Sequence, residues 1–324
     1  MPQCAYNLSA GLIDSSSIQV YFKYPKNSYT GSSVSYKLRT TDNNKSIVGS
    51  SSPLKLTGLS SITSYNLVVD TSMNNGTLIT TSSIVTYSTI ADPYLTIMYT
   101  FDTGKYIKQS TYYDIYNSAK SRYDASAIAI DASFSPTYFK YGNSSFNILL
   151  GTRSYINYNR PFTSDSNGLT FSFWYFIPST ATVSLGDANY FFDFGKGVDN
   201  YNIFYSIGFS SASPVTLIGD QVFVYNGGTR YSYNVFPTTT TISKGVWHHF
   251  ALVITTSTIK HYLDTTVTLS TGLTYYPNNI TTTSNRIGYT NWSQTSGGGY
   301  GYMDNFLVYN RALSAAEITA LYNA

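Results

Sequence analysis

Lys244-Gly-Val-Trp-His-His-Phe-Ala-Leu-Val-Ile254, followed after a Thr/Ser turn by Ile259-Lys-His-Tyr-Leu-Asp264, is the stretch whose reading decides the fold. Trp247, His249, Ala251 and Val253 fall on one face of an extended chain, and Phe250, Leu252 and Ile254 on the other, because successive strand side chains alternate. The two runs therefore read as strands joined by a short polar turn. Both faces of the first run are largely apolar. Such a strand needs cover on each side, which predicts an inner strand of a two-sheet sandwich and not a solvated hairpin.

Composition supports an all-β chain. At 324 residues the sequence is long enough for two domains and an ample core. Charged residues are 11% of the total, Glu317 is the only glutamate, and there are 33 tyrosines. Helices laced by Glu/Lys pairs are disfavoured, while Tyr, Thr, Val and Ile favour strands. The net charge of +3 is spread without any block of Lys or Arg, which removes support for a nucleic-acid partner. No run of about 20 apolar residues is present to insert into a membrane. Cys4 is the single cysteine, so the fold rests on packing without an internal disulfide. The stretch Met1-Pro-Gln-Cys-Ala-Tyr-Asn-Leu8 lacks the basic-then-apolar order of a secretory signal.

Residues 1–90 contain short alternating runs at Tyr6–Leu12, Ile18–Tyr24, Val34–Thr40, Lys45–Val48, Leu54–Leu56, Tyr65–Asp70 and Ser83–Ser88. That density of strands is expected of a small β-sandwich. Ile18-x-Val20-x-Phe22-x-x-Pro25, and Leu56-Thr-Gly-Leu59 followed by Tyr65, resemble the second strand and the Leu-to-Tyr stretch of fibronectin type III domains. The resemblance implies that the Tyr65 hydroxyl bonds back to the chain. Residues 91–94 form a short linker, since Pro93 cannot donate to a ladder and restricts Asp92 before it.

From 95 to 324 the pattern is again β, with about a dozen runs that predict a large two-sheet jelly roll. The exception is the end. Ser314 and Glu317 make a capping box for a short helix whose Ile318, Leu321 and Tyr322 share one face, predicted to dock on the sandwich. Six segments, in order, carry a resemblance over this whole region. They are Tyr99-Thr-Phe-Asp102, Gly142-Asn-Ser-Ser-Phe146, Leu169-Thr-Phe-Ser-Phe-Trp174, Gly245-Val-Trp-His-His-Phe-Ala-Leu-Val253, Arg286-Ile-Gly288 and Tyr302-Met-Asp-Asn-Phe-Leu-Val-Tyr-Asn-Arg-Ala-Leu-Ser314. Residues 95–324 thus resemble a laminin G-like, concanavalin A-like jelly roll of the lectin/glucanase superfamily. Where that family has Asp-Gly after its Trp-His strand pair, this chain has Asp264-Thr265-Thr266, and a longer turn is expected in place of a tight one needing positive φ.

The resemblance implies that glucanase chemistry would require paired glutamates on one strand, one as nucleophile and one as acid/base. With Glu317 alone, and that in the terminal helix, the chain is read as non-enzymatic. His248, His249 and His261 are the only histidines. Neighbours on a strand point to opposite faces, so His248 and His249 cannot share an ion. His249 and His261 could face each other across strands, but packing and hydrogen bonding are the expected roles of all three. No Gly-x-Ser-x-Gly elbow occurs, and Gly297-Gly-Gly-Tyr-Gly301 leads into a strand and not a helix, so it is no phosphate cradle. The resemblance further implies Ca²⁺ as the candidate cation, with Asp102 and Asp304 as carboxylate ligands.

Glycan recognition calls for flat aromatic faces beside amide groups. Loops with that mix nominate Tyr275, Tyr276, Asn278, Asn291, Trp292 and Tyr300 as the ligand-binding set. Asn-x-Ser/Thr occurs at Asn7, Asn44, Asn75, Asn143, Asn279 and Asn291, a frequent match in a Ser/Thr-rich chain. Taken together, the sequence predicts a surface-display protein of the virion, assembled from the cytoplasm as a capsid or fibre component. Its jelly roll would bind glycan or a neighbouring coat protein, and a homo-oligomer is compatible with this. Two alternatives stand beside it: a purely structural capsid cement, and an extracellular carbohydrate-binding or polysaccharide-processing accessory protein. The last would have to recruit Arg153, Arg160 and Arg230 with His249.

Overall fold

A computed structural model describes residues 5–13, 17–23, 34–59, 64–73, 77–88, 92–110, 112–120, 122–128, 133–148, 155–181, 188–209, 215–236, 240–291 and 301–323. Its contacts divide the chain into Met1–Pro93 with Ala315–Ala324, and Tyr94–Ser314. The helix Ala315–Tyr322 thereby groups with the first unit, where the sequence reading places it in the second. Eight residues with one fully buried side chain, Ile318, carry no domain identity of their own in the sequence.

The first unit is a pair of antiparallel sheets. Tyr6–Ile13, Ser17–Lys23 and Leu54–Thr57 form one. Ser46–Gly49, Val34–Thr40, Ser64–Met73 and Leu78–Thr81 form the other, with Val85–Ser88 also on the Ser64–Met73 strand. Leu78–Thr81 is absent from the sequence reading because a Leu-Ile pair between polar residues gives too short an alternation to register. Ile18, Val20 and Phe22 from the first sheet meet Tyr36, Leu38, Leu67 and Val69 from the second in one core. On the second sheet Arg39 donates to both oxygens of Asp70, at 2.5 and 3.2 Å. The Thr81 hydroxyl adds a third bond to that carboxylate, so one acid ties three strands.

The second unit is the two-sheet jelly roll. In hydrogen-bonded order its smaller sheet runs Ser133–Ser135, Ser145–Ile148, Gly301–Tyr309, Leu169–Phe176, Trp247–Ile254, Thr258–Leu263 and Thr266–Gly272, with Leu95–Tyr99 pairing on Gly301–Tyr309. The larger runs Tyr106–Lys108, Tyr112–Asn117, Arg122–Ile128, Tyr155–Tyr158, Ser284–Ile287, Ala188–Gly195, Ile203–Phe209, Val215–Asn226 and Thr229–Asn234. Thr241–Ile242 pairs off its Val215–Asn226 strand. Trp247–Ile254 is an inner strand, as its apolar faces require, with Leu169–Phe176 on one side and Thr258–Leu263 on the other.

Every residue of Leu169–Phe176 is buried. Phe171 and Phe173 point into the core, where Phe171 stacks on Phe192 of the larger sheet with ring centres 4.2 Å apart. Phe173 lies parallel to Phe250 at 5.6 Å and tilts against Phe191 at 4.7 Å. Such interdigitated rings fill the space between sheets about 10 Å apart. The opposite face of the same strand is also covered. There Trp174 carries the Lys140 ammonium 4.0 Å above its ring, and the Ser172 hydroxyl bonds His249 Nε2 at 2.8 Å.

Across the core, His261 on the smaller sheet bonds the Tyr205 hydroxyl of the larger at 2.8 Å through Nε2, while Nδ1 meets Thr268 Oγ1 at 2.6 Å. His249 and His261 do not face each other. His261 pairs opposite the inward Leu252, whereas His249 lies opposite Trp174 on the outer face. The Asp264-Thr265 connection is also not lengthened. Leu263 pairs with Thr266, so the turn is tight, and Asp264 itself takes the left-handed conformation with φ 52°. Aspartate tolerates that region better than most residues. Its carboxylate is used there too: Oδ1 accepts the His249 N–H at 2.8 Å and Oδ2 pairs with His248 Nδ1 at 2.9 Å. Since His248 Nε2 accepts the Ser243 N–H at 3.2 Å, Nδ1 carries the proton of that pair.

Burial favours the neutral form of two imidazoles, pushing His249 down to about 4 and His261 down to about 3. A folded pKa below the ordinary 6.5 gives stability that is present above pH 6.5 and lost as the pH falls towards the folded value. All three tryptophans lie within the second unit, so tryptophan emission in urea follows that unit alone. Between pH 6 and 4 the wild type should lose stability relative to His261→Gln by about 1.4 kcal/mol per pH unit. Equal pH slopes for the two proteins would show that His261 does not titrate on unfolding.

Candidate functional site

The outward side of the larger sheet carries a mix of rings and hydrogen-bonding groups. The strand registers bring one residue from each of seven strands into a row: Ser126, Asn157, Arg286, Asp193, Phe204, Phe223 and Ser232. Their strand neighbours Ile156, Ile287, Phe192, Tyr205 and Val222 all point the other way, into the core. Strict alternation therefore presents the row outward. At 4.7–4.9 Å per strand, its six steps span about 29 Å.

Asp193 is the structural centre of the row. It is fully buried, and it accepts hydrogen bonds from Asn202 Nδ2 at 2.5 Å, the Asn291 N–H at 2.7 Å and Thr290 Oγ1 at 3.1 Å. Two loops are thereby clamped onto the sheet. Asn202 Oδ1 in turn accepts the Asn200 N–H at 2.7 Å, and the Asn291 amide exchanges bonds with Ser284 Oγ and its carbonyl at 2.6 and 2.9 Å. Gly195 leaves room for this, as a Cβ there would lie 2.3 Å from Asn202 Nδ2. Desolvation pushes the Asp193 carboxyl up to about 6, against the donors that favour its ionised form.

Aromatic and cationic groups flank that centre. On one side Tyr155 and Tyr289 stack at 5.2 Å, and the Arg286 guanidinium carbon lies 5.4 and 5.8 Å from their ring centres. Arg286 Nη1 also donates to the Thr290 carbonyl at 2.6 Å. On the other side Phe204 packs between Tyr190 and Phe223, each at 5.3 Å, and Arg230 lies 5.2 Å over Phe223. Tyr155, Arg286, Tyr190 and Phe223 are half-buried, leaving part of each surface open to solvent. Tyr225, next to the row, is buried; desolvation and a bond to Asp199 push its hydroxyl far up.

The residues nominated from sequence are dispersed. Tyr276 is buried, and its hydroxyl donates to the Asp165 carbonyl at 2.6 Å, so it anchors its loop. Tyr275 is half-buried and stacks on Tyr231 at 6.3 Å, while Asn278 is exposed. Asn291 is buried in the Asp193 clamp and offers its side chain to Ser284 instead of a ligand. No hydrogen bond or ring contact among the described residues joins Tyr275, Tyr276 and Asn278 to Asn291. Trp292 and Tyr300 lie outside the described residues, as does Arg153. Arg230 and His249 sit on different sheets, so they cannot form a joint cleft.

Asp102 and Asp304 converge on one segment, but as anchors. Asp304 is fully buried; Oδ2 accepts the N–H groups of Lys140 and Tyr141 at 2.8 and 3.1 Å, and Oδ1 accepts that of Asn305 at 2.8 Å. Asp102 Oδ1 accepts the Asn143 N–H at 2.8 Å. Between them Gly142 has φ 62°, and a Cβ there would overlap Asp102. Backbone donors thus occupy the positions where Ca²⁺ would need further oxygens. Among the described residues no group of three or more acidic, histidine or cysteine side chains could hold a metal, and the pair does not fit a calcium shell. Desolvation pushes the Asp304 carboxyl up to about 7.

Sequence reasoning missed Asp193, Arg286, Tyr155, Tyr190, Phe204 and Phe223 as a set. The alternation Tyr155-Ile-Asn157 and Phe204-Tyr-Ser206 marks outward positions, but which strands adjoin is not written in either run.

The chain's likenesses among solved structures are distant. Domain 4 of AbnA, a GH43 extracellular arabinanase from Geobacillus stearothermophilus, in complex with arabinotriose, is 19% identical with a TM-score of 0.49, covering 70% of this chain and 98% of that one. The binding domain of Paraclostridial Mosquitocidal Protein 1 is 15% identical with a TM-score of 0.49, covering 71% and 52%. The botulinum neurotoxin serotype G binding domain is 14% identical with a TM-score of 0.45, covering 70% and 50%. A search of curated proteins by sequence finds no match. The family profile matches residues 150–319, more than half of the chain, and the chain belongs to the concanavalin A-like lectin/glucanases superfamily.

Proposed function

We propose that this chain is a non-enzymatic recognition protein whose second unit binds glycan along the outward face of its larger sheet. The observation that carries this reading is the cross-strand row holding Asn157, Arg286 and the half-open Phe223, with the half-open rings of Tyr155 and Tyr190 beside it. Sugar rings offer apolar faces to stack on and hydroxyls to bond, and a rigid sheet holds both kinds of partner in place. Family membership is compatible with recognition or catalysis. Glu317, the only glutamate, stands in the terminal helix, so the paired glutamates expected of a glucanase cannot be assembled.

The first unit serves in this proposal as a fibronectin type III-like spacer. The setting we favour is the surface of a virion, supported by a charge-poor, Tyr-rich chain with one cysteine. Proteomics of purified particles should find the chain at stoichiometric levels. Its consistent absence would remove the virion setting, while incorporation without any glycan binding would make it a coat component.

Binding is tested on an array of immobilised polysaccharides. Tyr155→Ala and Phe223→Ala should each weaken the best-bound glycan by about 2- to 12-fold, the range of one aromatic contact. Urea midpoints should stay near wild type, because both rings are half-open. No binding to any saccharide, or affinities untouched by both substitutions, would sink the reading.

A further inference from the structure

Among the described residues Arg286 has no acid to pair with. Its cross-strand neighbour is Asp193, yet the Asp193 oxygens are taken by Asn202, Thr290 and Asn291. No ion pair of Arg286 exists among the described residues, and its one hydrogen bond there is from Nη1 to the Thr290 carbonyl. Arg230, farther along the face, interacts with the Tyr225 hydroxyl. Tyr155, Tyr289 and the Thr290 carbonyl together fix the plane and direction of the Arg286 guanidinium. A guanidinium held in this way keeps donors in a planar fork, the geometry that matches a carboxylate with two parallel bonds. It also loses little side-chain freedom when a ligand arrives.

Resting on the glycan-binding reading above, we infer that the ligand is an acidic saccharide whose carboxylate is received by Arg286, with the sugar ring lying along the row beside Tyr155. A neutral sugar would offer the fork only single hydroxyl acceptors, without the charge and the paired oxygens of a carboxylate. Its cross-strand neighbour Asp193 does not compete for the fork, because it is buried and already hydrogen-bonded.

The test uses the full chain and three probes: polygalacturonate, its fully methyl-esterified form, and dextran sulfate, with binding measured by calorimetry at 150 mM salt. Polygalacturonate should bind at least tenfold more tightly than its methyl ester. Arg286→Gln should abolish that difference. Arg286→Lys, which keeps the charge but not the fork, should lose most of it. Equal binding of the ester, or dextran sulfate binding as tightly and being retained by Arg286→Lys, would overturn the carboxylate inference. In either case glycan binding as such would still stand if the array shows it. If polygalacturonate does not bind while neutral polysaccharides on the array do, the inference also fails. If nothing on the array binds, the underlying reading is the one that fails.

Discussion

A strand apolar on both faces has to be covered on both, and the second unit is arranged around that demand. Leu169–Phe176 and Trp247–Ile254 lie side by side at the middle of the smaller sheet, with their inward rings locked against Phe191, Phe192 and Tyr205. The outward rings and His249 are closed over as well, partly by the segment that Asp102 and Asp304 hold down. Polar groups at the centre of this packing are hydrogen-bonded within it, as the Ser172–His249 and Tyr205–His261 bonds illustrate. Burying such groups without partners would cost more than the bonds return.

The two sheets therefore take different parts. The smaller is buried on both sides around its central strands and serves as frame. The larger keeps its outward side partly open, and there a buried aspartate organises the surface without being presented to it. By collecting donors from two loops, Asp193 fixes Asn202 and Asn291, and the neighbouring Arg286 has no ion pair among the described residues. An electrostatic asymmetry results: the negative charge is withdrawn into the protein, and the positive one stays at the surface with its direction set by two tyrosines.

Several misreadings share one physical origin. Asn291 and Tyr276 have the residue types of ligand contacts, yet both are anchors, because an amide or phenol bonds loop backbone as readily as sugar. The expectation of a long turn at Asp264 treated glycine as the requirement of the left-handed region. Here an aspartate occupies it and finds two bonding partners, His248 and the His249 N–H, on the adjoining strand. The Ca²⁺ expectation could not see that both acids accept backbone N–H groups of the 140–143 segment and so anchor it.

By itself the sequence determined the class of the fold, the inner position of Trp247–Ile254 and the family of the second unit. The first two depend on period-two alternation and on apolar content, which are local properties, and the family rests on the resemblance of six ordered segments. It also determined that a glutamate pair is out of reach, which is a matter of counting. Only the tertiary structure decided which residues share the outward row. Asn157, Arg286, Asp193 and Phe223 lie far apart in the chain and become neighbours through strand order and register, and those are set by long-range pairing that no single run of residues encodes.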